Sequence, residues 1–118
     1  MAEAISETPN PRVFVLIHGT FAAGAAWTQD GSAMCQALRN YDPGASIKRY
    51  LWSGDNLQHV REDEADRLAD WILRDAVSHT PAKRYVIIAH SHGGNIAASL
   101  GRFPTVVEKV ECIICLAT

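Results

Sequence analysis

One stretch, in which a strand pattern changes to a helix pattern, decides the fold; it reads Arg84-Tyr-Val-Ile-Ile-Ala-His-Ser-His-Gly-Gly-Asn-Ile-Ala-Ala-Ser99. The apolar and β-branched residues 85–89 predict a buried strand, and the residues from 95 onward predict a helix. Ser91 lies at the corner between them. A hydroxyl at the carboxyl end of a strand, beside the free N–H groups that begin a helix, is well placed for reactions that develop negative charge. The pattern therefore places the chemistry of this chain at Ser91.

Serine is also a preferred N-cap residue, so Ser91 has a purely structural interpretation as the cap of the following helix. Capping alone does not require the pair Gly93-Gly94 or the histidines on either side of the serine. A second glycine motif, Leu16-Ile-His-Gly-Thr-Phe21, also follows an apolar run near the start of the chain. We therefore interpret Ser91 as a functional residue.

These two motifs carry a resemblance to a known family. The segment Ala89-His-Ser-His-Gly-Gly94 resembles the nucleophile elbow, Gly-x-Ser-x-Gly, of the α/β-hydrolase superfamily, and the segment 16–21 resembles the oxyanion loop of its lipase and esterase members. Ala89 stands where the first glycine of the elbow is expected, and alanine is the next smallest residue at a position that must be small. Gly93 fits the second glycine. The resemblance covers nearly all of residues 12–118, as the amino-terminal half of such a fold.

The resemblance implies a role for each motif residue. Ser91 would be the nucleophile, and the backbone N–H groups of His92 and Thr20 would form the oxyanion hole, with Phe21 as the alternative second donor. The residues that support the two motifs would be His18, Gly19, Gly93 and Gly94. The implied reaction is acyl transfer from a carboxylic ester or lipid to Ser91, followed by hydrolysis, with no cofactor and no metal ion.

The acid and the histidine of the family's triad follow its seventh and eighth strands, and no residue of this sequence matches them. Asp55 and His59, which follow the second predicted strand, are candidates for a substitute acid and base, although capping of the next helix explains Asp55 more simply. Two functions therefore stay open: a serine hydrolase that is incomplete in this chain, and a non-catalytic, truncated interaction module. A dinucleotide or phosphate binder is disfavoured, because the segment 18–20 lacks both G-x-G-x-x-G and Walker spacing.

Outside the motifs the chain alternates strand and helix patterns. Strands are predicted at 13–17, 47–52, 85–89 and 110–116, with helices after Thr28, over 57–78 and from 95 to about 102, where Pro104 ends the last one. Alternation of this kind predicts an α/β fold, a parallel sheet of about four strands with helices on both faces. The strand ends bring His18 and Ser91 to one edge of the sheet. The charged residues of 62–75 are interpreted as the solvated face of the long helix.

Composition limits the partners and the setting. A hydrophobic fraction of 47% suffices for one core, and we assign 12–118 to a single domain with residues 1–11 as a flexible lead-in. Eleven basic and thirteen acidic residues give a net charge of −2, which argues against nucleic-acid binding by charge. No apolar run approaches the roughly 20 residues of a membrane span, and residues 1–11 lack the pattern of a secretory signal.

The three cysteines are an odd number, which predicts free thiols in a reducing cytoplasm rather than a disulfide framework. Cys112 and Cys115 have C-x-x-C spacing, but residues three apart on a strand point to opposite faces, so we expect buried thiols rather than a metal or redox site. The segment 110–116 is apolar except for Glu111, and in the family's sheet order nothing in this chain covers its outer side. Such an edge predicts a homo-oligomer that pairs through 110–116.

Overall fold

The computed structural model describes residues 11–19, 22, 24–54, 57–77 and 84–116. The predicted lead-in, residues 1–11, lies outside the described residues except for Pro11. The elements, in chain order, are β1 (Arg12–Ile17), a 3-10 turn (Ala26–Thr28), α1 (Ala33–Tyr41), β2 (Ser46–Tyr50), α2 (Gln58–Val77), β3 (Arg84–His90), α3 (Gly93–Ala98), a 3-10 turn (Ser99–Arg102), α4 (Pro104–Val107) and β4 (Val110–Leu116).

The four strands form one parallel sheet in the order β2-β1-β3-β4, which confirms the predicted α/β class. The strands that precede the two sequence motifs, β1 and β3, are neighbours in the middle of the sheet. Ile17 pairs with Ala89, so the two strands end at the same level. The register therefore brings His18 and Ser91 to the same edge, as the alternation of strands and helices predicts.

Both faces of the sheet carry a buried apolar cluster, because the residues of β1 alternate between them. Val13, Val15 and Ile17 belong to the cluster that packs against α2 and α3. Phe14 and Leu16 belong to a smaller cluster on the opposite face, which includes Cys35 of α1. A continuous apolar run that is buried on both faces is typical of a central parallel strand.

The predicted apolar stripe of α2 is confirmed at its centre, where Ala65, Leu68, Ala69 and Ile72 are buried. The interpretation of Glu64 as part of the solvated face was wrong, because this residue is only 6% exposed. The Tyr50 hydroxyl at the end of β2 donates to Glu64 Oε1 at 2.8 Å, so the carboxylate has a partner inside the protein. Burial and this hydrogen bond raise the pKa of Tyr50 well above its ordinary value.

Some boundaries differ from the prediction. The second strand ends at Tyr50 rather than at 52. Residues 93–102 form a short α-helix followed by a 3-10 turn rather than a single helix. Pro104 does not merely end that segment, since it occupies the first turn of α4. Proline is tolerated there because the N–H groups of the first turn form no hydrogen bond within the helix.

The three cysteines are unpaired, and two of them contradict the expectation of burial: Cys112 and Cys115 are exposed. Both lie on β4, which is an edge strand of the sheet, so no described strand covers its outer side. Ile113 and Ile114 of the same strand are 38% and 44% exposed. Sequence alone predicts the apolar character of this strand but not its exposure.

Candidate active site

Ser91 occupies a strained corner between β3 and α3. Its φ angle is +54°, and among the described residues it is the only one other than glycine with a positive φ. This left-handed conformation costs an L-residue with a side chain about 1–2 kcal/mol. Such strain persists only where the surrounding structure imposes it, and it clusters at functional sites. The predicted strand-to-helix corner is confirmed, and Ser91 is half-buried in it.

The Ser91 side chain does not cap α3. The N-cap residue of this helix is His92, and no side-chain capping hydrogen bond is formed. Ser91 takes part through its backbone: its carbonyl accepts from the Gly94 N–H at 2.9 Å, and its own N–H donates to the Leu116 carbonyl at 3.2 Å. Within the described residues no hydrogen bond engages the Ser91 hydroxyl. The capping interpretation therefore does not explain the serine.

Gly93 and Gly19 lie where two backbone segments come too close for a side chain. A Cβ atom on Gly93 would lie 2.7 Å from the His18 carbonyl oxygen and 3.0 Å from that of Ile17. A Cβ atom on Gly19 would lie 2.8 Å from Nδ1 of His90 and 3.0 Å from Cβ of Ser91. The end of β1 and the elbow are therefore in direct contact. The two glycines are required by this contact, since neither has a positive φ.

His18 is a buried structural residue, as the resemblance implies. Its ring stacks on Trp52 with centroids 5.3 Å apart, and the indole Nε1–H donates to the His18 carbonyl at 2.9 Å. Nδ1 lies 2.8 Å from the Gly19 carbonyl oxygen, and Nε2 lies 3.0 Å from the Trp52 carbonyl oxygen and 3.2 Å from the Trp52 backbone nitrogen. Both ring nitrogens therefore have hydrogen-bond partners on the backbone. His18 and Trp52 together fix the end of β1.

His90 lies on the face of β3 that strand alternation predicts, together with Val86 and Ile88. Its ring packs near Trp27, which borders the apolar cluster on that face, with centroids 6.4 Å apart. A Cβ atom on Gly19 would lie 2.8 Å from His90 Nδ1 and 3.0 Å from the Ser91 Cβ, so both residues border Gly19. These contacts between distant residues leave no signal in the sequence.

Ala89, which replaces the first glycine of the elbow motif, is fully buried at the end of β3. It pairs with Ile17 on one side and with Cys115 on the other. The methyl group belongs to the core cluster on the α2 face. Alanine therefore fits this position.

The remaining predicted site residues are only partly placed. Thr20, Phe21 and Asp55 lie outside the described residues. His92 is half-buried at the start of α3, and Gly94 is buried in its first turn. His59 is exposed near the start of α2, and no described contact joins it to Ser91. The structure thus brings together His18, Gly19, Ser91 and Gly93, but it does not bring His59 to them.

Comparison with known proteins adds no relative: no protein-family model, curated protein or solved structure matches this chain. In the part of the chain that the structure describes, no three His, Cys, Asp or Glu side chains are grouped to hold a metal ion. None of the helices in the same residues is both long and apolar enough to cross a membrane.

Proposed function

We propose that this chain carries the nucleophile and the oxyanion loop of a serine hydrolase of the α/β-hydrolase type. The observation that carries the proposal is the left-handed Ser91 at the strand-to-helix corner, held against the end of β1 by contacts that exclude a side chain on Gly19 and Gly93. Strain at a hydroxyl-bearing residue is what a nucleophile elbow requires, because the sharp turn exposes the hydroxyl.

The substrate class that fits this site is a carboxylic ester or lipid. Ser91 Oγ would attack the carbonyl carbon, the alcohol would leave with a proton, and the acyl group would stay on Ser91 until water releases it as a carboxylic acid. The backbone N–H groups of His92 and Thr20 would stabilise the oxyanion, and loss of one such donor costs roughly 100- to 1000-fold in rate. The resemblance assigns the proton acceptor to positions after β4. Of the two substitutes, Asp55 lies outside the described residues and His59 has no described contact with Ser91.

A second candidate function is a non-catalytic interaction module. The exposed apolar side chains of β4, Ile113 and Ile114, favour it, because an apolar edge strand is a template for pairing with another chain. In either function the chain forms a homo-oligomer through residues 110–116. The three unpaired thiols support a reducing, cytoplasmic setting.

The test is covalent labelling of the whole chain by an alkyl fluorophosphonate, together with hydrolysis of a short-chain nitrophenyl ester. We expect the probe to modify Ser91 and the Ser91→Ala variant to lose labelling. Ester hydrolysis should be low in both, because no residue of this sequence matches the general base of the family's triad. Ser99→Ala is the matched control. Ser99 begins the 3-10 turn after α3, and its hydroxyl donates to the Asn95 carbonyl at 2.9 Å, so we expect no reaction there.

Labelling that depends on Ser91 but not on Ser99 would support the hydrolase, and ester hydrolysis with the same dependence would show that a base is supplied. A folded chain that is not labelled, or that is labelled equally in Ser91→Ala, would contradict it. The interaction module would then be the better interpretation.

A further inference from the structure

One atom next to the elbow is in an environment that packing alone does not explain. His90 Nδ1 is buried, and among the described residues it is the only buried side-chain nitrogen or oxygen without a hydrogen-bond partner. Polar groups of this kind are rare in folded proteins, and each reduces stability by about 1–3 kcal/mol. An apolar side chain of similar size would avoid that cost. The imidazole therefore needs another explanation.

The surroundings of this atom point to the loop that follows β1. Nδ1 faces the Gly19 backbone, where an added Cβ would come within 2.8 Å of it. The same added Cβ would lie 3.0 Å from the Ser91 Cβ and 3.2 Å from the His90 carbonyl oxygen, on the same side of Gly19 as Nδ1. This side of Gly19 therefore packs directly against both the imidazole of His90 and the side chain of Ser91. Because Thr20 is the next residue, the position of Gly19 also sets where the expected oxyanion donor begins.

These contacts also select one tautomer of His90. A proton on Nδ1 would be a buried N–H without an acceptor, whereas an unprotonated Nδ1 can rest against the Cα–H group of Gly19 as a weak hydrogen-bond acceptor. His90 as a whole is only partly buried, and its Nε2 is not among the buried atoms that lack a partner. The proton therefore belongs on Nε2. This tautomer is assigned from the contacts.

We infer that His90 is a positioning residue: its neutral ring, with Nδ1 unprotonated, fixes the distance between the loop after β1 and the Ser91 elbow. The inference rests on the proposed function, because the distance matters only if Thr20 and Ser91 act on one substrate. A misplacement of about 1 Å at a catalytic site reduces the rate by as much as 100-fold. Trp27 packs beside the same ring, with centroids 6.4 Å apart.

Two substitutions separate positioning from packing. His90→Leu replaces the polar atom by an apolar group, so we expect a stability equal to or higher than that of the wild type. The same variant should label at Ser91 about 10- to 100-fold more slowly with the fluorophosphonate. His90→Asn keeps an acceptor near the position of Nδ1, and we expect it to restore labelling to within about threefold of the wild type.

A spectroscopic measurement tests the inference independently of any reaction. In the full chain labelled with ¹⁵N-histidine, long-range proton–nitrogen spectra show which ring nitrogen carries the proton, and the loss of signals in His90→Asn identifies His90. We expect an unprotonated Nδ1 in the wild type. In a uniformly ¹⁵N-labelled chain, we also expect His90→Leu to shift the amide signals of Gly19 and Ser91, while those of Gly101 stay unchanged.

The outcomes distinguish the two claims. If wild-type Ser91 does not react, the proposed hydrolase fails, and the inference then stands or falls on the tautomer and on the Gly19 signals. A proton on Nδ1, or unchanged Gly19 and Ser91 signals in His90→Leu, would overturn the positioning role. If Ser91 reacts, an unchanged labelling rate in a folded His90→Leu variant would overturn it as well.

Discussion

Two requirements conflict at Ser91. A φ angle of +54° is most favourable for glycine, whose missing Cβ removes the steric penalty of the left-handed region. Glycine, however, has no hydroxyl group. A serine at this position therefore lowers stability, and the proposed role as nucleophile would account for it, since stability is commonly reduced at functional sites. The backbone strain and the hydroxyl group of Ser91 can be removed separately by substitution, so the effect of the strain on stability can be measured.

We expect Ser91→Gly to be more stable than Ser91→Ala by about 1 kcal/mol, since both lack the hydroxyl and only alanine retains the clash of the left-handed conformation. Urea unfolding of both variants measures the difference. Ser99 is the matched control: its φ is −67°, so there the alanine variant should be the more stable one. A Ser91→Ala variant at least as stable as Ser91→Gly would contradict backbone strain at Ser91.

The close approach at Gly93 gives a second prediction for a single residue. In Gly93→Ala the new methyl group would meet the His18 and Ile17 carbonyl oxygens, which belong to backbone and cannot turn aside. We expect a loss of about 1–3 kcal/mol in the free energy of unfolding. Gly101→Ala is the control, because nothing lies within 4 Å of its added Cβ. A Gly93→Ala variant as stable as Gly101→Ala would show that the elbow and β1 are further apart.

At the scale of elements, periodicity predicts which segments form strands and helices but not where each one ends. The long helix predicted at 57–78 is observed as Gln58–Val77, because its apolar stripe repeats over many turns. The segment after Ser91 is different, since α3 extends over six residues before it tightens into a 3-10 turn. Glu64 was misassigned for a related reason: its partner, Tyr50, lies on another element.

The amino-terminal end of the sheet is joined by an ion-pair network that should make stability depend on pH. Arg12 of β1 donates to Glu111 of β4 and to Asp42 after α1, both at 3.0 Å. The hydrogen bond from Arg12 lowers the pKa of Glu111 below its ordinary value. As the pH falls, the unfolded chain therefore binds a proton at Glu111 before the folded chain does. The stability that the ion pair contributes is present above the pKa of Glu111 in the unfolded chain, about 4.3, and it is lost as the pH falls through the pKa in the folded chain.

We expect Glu111→Gln to flatten the decrease in stability below about pH 4.3, because the substituted side chain cannot take up that proton. Denaturant unfolding at a series of pH values measures this slope. The control is Glu108→Gln, since Glu108 is exposed and belongs to no described ion pair, and it should keep the wild-type slope. An unchanged slope in Glu111→Gln would mean that the ion pair does not stabilise the folded chain.

At the scale of the whole molecule, the sequence predicts the shared position of the two motifs because that position follows from topology. Parallel strands that end at one edge must bring His18 and Ser91 to the same side. The contacts that hold the site, from Trp52 to His18 and from His90 to Gly19, join residues that are distant in the chain and depend on side-chain packing. The spacing of apolar residues along the sequence does not predict such contacts, so only the structure reveals them.

The two edges of the sheet differ in their protection against pairing with another chain. Lys48 and Arg49 are exposed on β2, and charged side chains on an edge strand oppose pairing. On β4 the exposed side chains include Ile113 and Ile114, and apolar grooves of about 270 and 280 Å³ lie on its two faces. A strand added beside β4 could place alternate side chains towards each groove. We therefore expect association through the β4 edge rather than through the β2 edge.

We expect the wild-type chain to associate with increasing concentration and Ile113→Lys to remain monomeric, because a buried ammonium group would oppose pairing at the centre of β4. Sedimentation velocity over a range of micromolar concentrations measures the state of each. Leu51→Lys is the matched control, since Leu51 is an exposed apolar residue that follows β2 and its replacement should leave association unchanged. If the wild-type chain is monomeric throughout, or if Leu51→Lys is as effective as Ile113→Lys, the exposed apolar residues of β4 do not mediate self-association.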